Sequence, residues 1–341
     1  MKKKIIVFCI ILIFLATGCT PDKNQYISDN AFLLDTVINI RIYDQKDKKI
    51  LKDAFDKISD LEDLLSVHRI GSDPFKINEG AGKEWVDISE ETLEILAVCQ
   101  EISSLSNGYF DVTVGPLVKL WGIKPPNGYV PTKDELINAL LLVDYRKLKI
   151  DSVNSKAFLE AENMEINLGA IAKGYIAEKI KEQLIEKGVK SGVINLGGNI
   201  VIIGNRVDGK GFMVGVQEPN SGRNEYLGLV EVSDKAVVSS GTYERFFEQD
   251  GKRYHHILNP YTGVPEENSL DGVTVIAEDS TYADALSTTF FLLGLEDGLS
   301  LAEGMKEVQA VFITKDKKIY TTSGLRNNFK LEKDTEYVMV K

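Results

Sequence analysis

From Phe32 to Tyr43 apolar and polar residues alternate and β-branched side chains abound, which predicts a strand. From Ile50 to Ser66 the period changes. Leu51, Ala54, Phe55, Ile58, Leu61 and Leu65 recur at helical spacing and predict an amphipathic helix. A second helix is expected from Ser89 to Ser104, opened by a serine with Glu91 and Thr92 behind it. Between the two lies a stretch read as loop, with His68, Gly71 and Pro74. Gly108 to Gly122 is an apolar, glycine-punctuated passage leading into a proline-rich loop, Pro125 to Pro131. Thr132 with Glu135 three residues on is a capping-box signature for a short helix ending at Leu141.

Strands are expected near Lys147–Ile150 and Ala157–Leu159. The run Ile166-Asn-Leu-Gly-Ala-Ile-Ala-Lys-Gly-Tyr opens a helix extending to about Lys187, and a strand at Val193–Asn195 ends on Gly197-Gly198. The second half reads mostly as strands: Val201–Gly204, Phe212–Gln217, Gly228–Val232, Ala236–Ser239, Arg245–Glu248 and Val273–Ala277. One helix, Thr281–Leu293, interrupts them, and Ala310–Ile313 with Ile319–Thr321 form a closing pair. Long helices against largely antiparallel strands define an α+β class rather than repeated βαβ units. No GxGxxG follows an early strand, so a Rossmann dinucleotide site is not expected.

The amino terminus changes the picture. Lys2, Lys3 and Lys4 precede an apolar run, Ile5–Ala16, and then Thr17, Gly18 and Cys19. That run would rise about 18 Å as a helix, short of the roughly 30 Å hydrocarbon core. The pattern is that of a lipoprotein signal over residues 1–18, with Cys19 as the lipid-carrying first residue of the mature chain. Residues 19–30 would be a lipidated tether and 31–335 the folded domain, held by lipid at the extracytoplasmic face of the cell membrane. Of three cysteines only Cys99 then remains, in an apolar helical stretch. This leaves no internal disulfide, cysteine metal site or thiol catalysis. The formal charge of −11 becomes more negative once the three lysines depart. A strongly acidic chain without a basic cluster argues against nucleic acid as partner.

Candidate chemistry sits at a few places. Asp284 and Thr288, four apart on the predicted helix, put a carboxylate and a hydroxyl on one face. Such oxygens suit a hard ion such as Mg²⁺ completed by phosphate and water, although a carboxylate in a first helical turn also satisfies the helix dipole. His256 runs into Asn259-Pro-Tyr-Thr-Gly, a turn that could hold an imidazole at a cleft edge. Gly169, Ala170, Lys173 and Gly174 occupy a loop-to-helix junction where backbone can approach a phosphate, or where glycine serves packing. Gly197, Gly198 and Asn199 read as a tight turn or a ligand approach. Asp111, among Phe110, Val112 and Val114, reads as a turn or cap residue.

Together these stretches resemble one family, the FAD:protein FMN transferases of the ApbE type. The match runs in order through Asp111–Trp121 (DVTVGPLVKLW), Asn167–Tyr175 (NLGAIAKGY), Asn195–Ile200 (NLGGNI), the SSGTYERFF run from Ser239, His256–Gly263 (HILNPYTG) and Ala283–Thr288 (ADALST). It covers roughly residues 30 to 325. The resemblance implies an ApbE-like, T-fold-related architecture with a nucleotide cleft between two closely joined lobes. It implies Mg²⁺-dependent transfer of the FMN half of FAD to a threonine or serine of a client flavoprotein, with AMP released. The client motif would be of the Asp-Gly/Ser-x-Thr/Ser-x-Ala-Thr type. Carried over by position, the Ala170 carbonyl, Asp284 and Thr288 would form the metal shell and His256 the base. Thr36, Asp111, Trp121, Lys173, Gly197, Gly198, Tyr243 and Glu244 would contact the nucleotide. One departure stands out: Leu34-Asp35-Thr36 carries Asp35 where relatives have glycine. The alternatives are an FAD pyrophosphatase, in which water replaces the client hydroxyl, and a non-catalytic FAD-binding lipoprotein.

Overall fold

A computed structural model describes residues 26–123, 127–219, 221–222, 225–333 and 335–340. The expected signal segment, Cys19 and most of the tether lie outside them. Strands β1 (Ile27–Leu33) and β2 (Thr36–Ile42) form a hairpin, so the stretch expected as one strand is two, and residues 27–30 belong to β1 rather than to a tether. Leu34 and Asp35 make the two-residue turn with φ of +54° and +58°. Such turns need left-handed backbone at both central positions, which aspartate tolerates better than most residues.

Helix α1 (Lys48–Leu65) buries Leu51, Ala54, Ile58, Leu61 and Leu65, the stripe expected from the spacing. The presumed loop after it contains a short helix, α2 (Asp73–Glu79), capped by Ser72 with proline in its first turn. Proline is at home there, because the N–H it lacks would have no helical partner. Strand β3 (Val86–Asp87) and helix α3 (Glu90–Leu105) follow. Helix α4 (Gly115–Trp121) lies inside the apolar passage, and α5 (Lys133–Leu140) carries both hydrogen bonds of the predicted capping box. Strands β4 (Leu148–Asp151) and β5 (Lys156–Leu159) join β3 in a small antiparallel sheet.

Next come α6 (Ala172–Glu186), β6 (Ser191–Leu196), β7 (Asn199–Gly204), β8 (Phe212–Gln217), β9 (Tyr226–Val232) and β10 (Ala236–Gly241). The hairpin β11 (Phe246–Gln249) and β12 (Lys252–His255) stands apart from the main sheet. Strand β13 (Leu270–Ala277) leads to helix α7 (Ser280–Gly304). The helix expected to stop at Leu293 does break there, because Gly294 has φ +78°, and then resumes. Strands β14 (Gln309–Thr314), β15 (Lys318–Thr321), β16 (Phe329–Leu331) and β17 (Val338–Met339) close the chain, the last beyond the expected boundary at 335.

Among the described residues the main sheet has the order β1-β2-β6-β7-β10-β13-β14-β15-β17, antiparallel throughout except for β15 with β17. Both faces of its centre are covered, which is why β13 and β14 read as nearly unbroken apolar runs. Successive side chains leave a strand on opposite faces. Val238, Val273, Val275, Ala310 and Phe312 therefore pack under α1, α6 and α7, while Val237, Ile276, Val311 and Ile313 meet the small β8-β9-β16 sheet. A third apolar cluster around Leu117, Trp121, Ile123 and Leu258 joins α4 and α5 to the β11–β12 side. The α+β class and mostly antiparallel sheet stand as expected. No described helix is long and apolar enough to cross a membrane.

Candidate active site

Helices α6 and α7 approach more closely than helices with side chains at the contact could. At Gly174 a Cβ would sit 2.3 Å from the Ser280 carbonyl oxygen and 2.6 Å from the Asp284 Cβ. Helix α6 begins without a side-chain cap. Its Gly174 N–H donates to Asp284 Oδ2 at 2.8 Å instead of to the carbonyl four residues back. The Ala170 carbonyl consequently accepts no backbone N–H among the described residues. Thr288, one turn along α7 from Asp284, completes a set of three oxygen donors of different kinds.

These three line one cavity of about 540 Å³, together with Lys173, Asp111, Glu244, Arg245 and His256. Asp284 is 5% exposed. Burial pushes its carboxyl up, while the Lys173 ammonium, the Gly174 N–H and the Asn199 amide pull the other way. Asn199 is buried, and its Nδ2 lies within electrostatic reach of Asp284 without making a hydrogen bond of ordinary geometry. One carboxylate with a carbonyl and a hydroxyl is too little charge for a self-sufficient cation site. Among the described residues no cluster of three or more His, Cys, Asp or Glu offers one either. Such a set fits a hard cation that arrives with, or is completed by, the phosphates of a bound nucleotide.

His256 is half-buried in the lining of the same cavity, and both its backbone N–H and its Nδ1 contact the Arg245 carbonyl, at 3.1 and 3.2 Å. A carbonyl can only accept, so Nδ1 carries the proton and Nε2 keeps its lone pair. Burial, reinforced by the nearby Arg245, His255 and Lys173, lowers the imidazole to about 3, which leaves it neutral. The adjacent His255 faces the other way: Nε2 meets the Glu266 carbonyl at 2.9 Å and Nδ1 accepts from the Ile257 N–H. These bonds tie the end of β12, directly before His256, to the Glu266 backbone and to Ile257.

Not every expected contact residue reaches this cavity. Asp111 lies in its wall, but its oxygens are taken by the Thr113 N–H and hydroxyl and by the Tyr145 N–H. These bonds tie the turn at residues 111–113 to the segment at Tyr145. Trp121 is outside the cavity lining. Helix α4 presents Gly115, Val118 and Lys119 to the cavity, joined by Gly122 just past its end, while Leu117 and Trp121 point into the third apolar cluster. The Trp121 Nε1–H donates to the Gly263 carbonyl at 2.7 Å, and its ring packs on Tyr254 and Phe247. Trp121 and His255 line instead a second hollow of about 690 Å³ that contains none of the oxygen donors. Tyr243 is likewise absent from the cavity lining. Its ring covers Gly241 and Gly272, paired across β10 and β13, while its neighbour Glu244 does line the cavity.

Thr36, Gly197 and Gly198 form a group of their own outside the cavity lining. Ile38 pairs with Leu196, which sets the β1–β2 and β6–β7 turns side by side at one end of the sheet. Gly197, with φ +65°, is needed because a Cβ there would lie 2.3 Å from Thr36 Oγ1. The turn's contribution to the site is indirect. It delivers Asn199, whose Oδ1 accepts from the Ser280 hydroxyl at 3.1 Å at the start of α7.

Two contributors escaped the sequence reading. Helix α2, read as loop, brings Phe75, Asn78 and Glu79 to the cavity. Asn78 holds Ile166 from both sides, accepting from its N–H at 2.7 Å and donating to its carbonyl at 3.2 Å. This braces the segment that ends at Ala170. The signal was present in Ser72-Asp-Pro, a cap followed by a first-turn proline. Arg245, which supplies the carbonyl that orients His256, was the other.

Comparison with known proteins agrees with this geometry. The chain belongs to the ApbE family, whose model matches residues 34–312. It is 36% identical over 306 residues to the FAD:protein FMN transferase of Klebsiella pneumoniae (strain 342), with 90% of this chain and 95% of that one covered. The FAD:protein FMN transferase of Treponema pallidum (strain Nichols) is 33% identical over 313 residues, covering 86% of each. Among solved structures, the ApbE protein of Thermotoga maritima superposes with a TM-score of 0.82 at 30% identity, over 88% of this chain and 98% of that one. The flavin transferase ApbE from Vibrio cholerae gives 0.80 at 28%, over 89% and 99%.

Proposed function

We infer that this chain is an FAD:protein FMN transferase, moving the FMN moiety of FAD onto a client flavoprotein. The observation that supports this most directly is that Ala170, Asp284 and Thr288 line one cavity together with a neutral His256. The finer chemistry is our reading. A threonine or serine hydroxyl of the client, in a motif of the Asp-Gly/Ser-x-Thr/Ser-x-Ala-Thr type, attacks the FMN-side phosphorus. The new P–O ester forms as the bond to the AMP phosphate breaks, the hydroxyl proton passes to His256 Nε2, and AMP leaves. Lys173 supplies positive charge beside the pyrophosphate, and positioning of the two reactants supplies the proximity term. Ala170, Asp284 and Thr288 would hold Mg²⁺, which when bound neutralises phosphate charge and polarises phosphorus.

The rest of the enzyme's setting is also proposed. Residues 1–18 are taken as a lipoprotein signal and Cys19 as the lipidated residue, placing the domain at the outer face of the cell membrane. Loss of membrane retention and of lipid labelling in Cys19→Ser would support that; unchanged retention would remove it.

The principal test is mass spectrometry of a client-motif peptide after incubation with the protein, FAD and Mg²⁺. Gain of one FMN phosphoryl unit, absent without metal and lost in Asp284→Ala, supports transfer. AMP and free FMN with unmodified peptide would point to a pyrophosphatase, and FAD binding without any AMP to a binding protein.

A further inference from the structure

Thr288 does not stand alone on its wall. Strand β10 places Ser240 against α7, where its Oγ lies 2.7 Å from Ser287 Oγ and 3.2 Å from Thr288 Oγ1. Ser240 and Ser287 are both buried from solvent, 7% and 0% exposed. The direction of every bond in this cluster follows from counting protons, because a hydroxyl has one to give and two lone pairs to receive with. Ser287 Oγ lies 2.8 Å from the Asp284 carbonyl oxygen, which can only accept, so the Ser287 proton is spent there. In the contact between Ser240 and Ser287 the donor must then be Ser240. Its proton being committed too, the remaining bond can form only with Thr288 as donor.

We propose that Ser240, held in one orientation by Ser287, is a positioning residue that draws the Thr288 proton away from the cavity and leaves the Thr288 lone pairs facing the cation site. This rests on the reading of Thr288 as a cation ligand. A hydroxyl coordinates a cation through a lone pair, and one whose proton points at the cation repels it. Groups that orient a metal ligand through hydrogen bonds change affinity about 10- to 100-fold when removed. The chain Asp284 carbonyl, Ser287, Ser240, Thr288 starts and ends on the two residues that would share the ion. The Asp284 end is its backbone carbonyl, so the chain fixes the Thr288 hydroxyl against the frame of α7 through a strand that Thr288 does not belong to.

The experiment is titration of the full-length, detergent-purified protein with Mn²⁺ at a fixed saturating concentration of FAD and without client peptide, following the free-ion signal by electron paramagnetic resonance against the same FAD without protein. Ser240→Ala should raise the Mn²⁺ dissociation constant about tenfold. Ser287→Ala should raise it as well, although Ser287 does not touch Thr288, because the released Ser240 proton can turn onto Thr288 Oγ1. Ser240→Thr, which keeps the hydroxyl, should stay close to the parent. In turnover, the Ser240→Ala deficit should be relieved by raising Mg²⁺, which a merely structural lesion would not allow. Thr288→Val separates the two ideas. If it weakens Mn²⁺ binding while Ser240→Ala stays within about twofold of the parent, the positioning role is wrong and the ligand role stands. If Thr288→Val binds Mn²⁺ unchanged, the ligand role falls and this inference with it. Should Ser240→Ala not fold, Ser240→Cys, close in size but a poor hydrogen-bonding group, is held to the same twofold criterion.

Discussion

The Gly174 N–H donates to Asp284 Oδ2 across the α6–α7 contact, and that one bond both anchors the carboxylate and diverts a helical donor from Ala170. Two of the three oxygens proposed to meet the cation are thus set by a single glycine. The missing side chain matters as much as the bond. Gly174→Ala would place a methyl against the Ser280 carbonyl and the Asp284 Cβ, and overpacking of this kind costs about 1–3 kcal/mol. Urea denaturation should show that loss, with transferase activity falling further than stability does. Stability equal to the parent would mean that α6 can shift freely, against the packing described.

Asp284→Asn separates function from fold. The amide keeps an acceptor for Gly174 but loses the charge, so transfer should fall at least about a hundredfold, as losing one preorganised electrostatic group typically does. Stability should not fall at neutral pH. Burial raises the folded-state pKa of Asp284 above its unfolded value of 3.8, so its favourable contribution is complete below that value and lost as pH rises through the folded one. Denaturation at pH 7 should find the Asn variant at least as stable as the parent, with the advantage gone near pH 3.

The two histidines give the opposite pH dependence. Burial lowers His256 to about 3 and His255 to about 4, below the ordinary 6.5. Each supports the fold above 6.5 and withdraws that support as pH falls toward its folded value, by at most about 1.4 kcal/mol per unit and group. Stability of the ligand-free protein should therefore decline from pH 6.5 to 4, and His256→Asn should flatten the slope. In kinetics, the acid limb of kcat/KM, which reports the free enzyme, should lie well below pH 6. That of kcat should lie higher, because a bound pyrophosphate stabilises the imidazolium. An acid limb of kcat/KM near 6.5 would contradict the lowered value.

Asn78→Ala removes both hydrogen bonds to Ile166 and leaves the Ile166 N–H, in a buried residue, unpaired, at about 1–3 kcal/mol. The loop ending at Ala170 should loosen, seen as faster amide exchange over 164–170 and a raised metal requirement. Unchanged exchange there would show the loop is held from elsewhere.

Trp121→Phe tests a residue that the sequence suggested for nucleotide contact and the structure places elsewhere. It loses the bond to the Gly263 carbonyl and some packing, so stability should drop by about 1–3 kcal/mol. FAD affinity, measured by flavin fluorescence, should remain within about twofold. A large loss of affinity without loss of stability would return Trp121 to the nucleotide site.

Much of this protein is legible in its sequence because much of it is local. The α1 stripe, the capping box of α5, the strand alternation of the second half and the break at Gly294 each depend on residues a few positions apart. Their physics does not wait for the rest of the chain. The ordered motifs likewise identify the family and name Ala170, Asp284, Thr288, Lys173, Glu244 and His256, all of which meet at one cavity. What the linear chain could not decide is the side on which a motif residue emerges. Trp121 is one residue from Gly122 and Tyr243 one from Glu244. Helical phase turns Trp121 into the apolar cluster behind α4, and the turn after β10 lays the Tyr243 ring over its own strand. The cavity keeps their neighbours. The hairpin within Phe32–Tyr43 needed two left-handed residues that nothing in an apolar-polar pattern records, and α2 needed Ser72 to be read as a cap in spite of Gly71 and Pro74. The direction of the Ser287, Ser240 and Thr288 hydroxyls belongs wholly to the tertiary structure, since 47 and 48 residues separate Ser240 from the groups that orient it and that it orients. A proton's direction is fixed by which acceptor the fold brings within reach, and only packing β10 against α7 brings one.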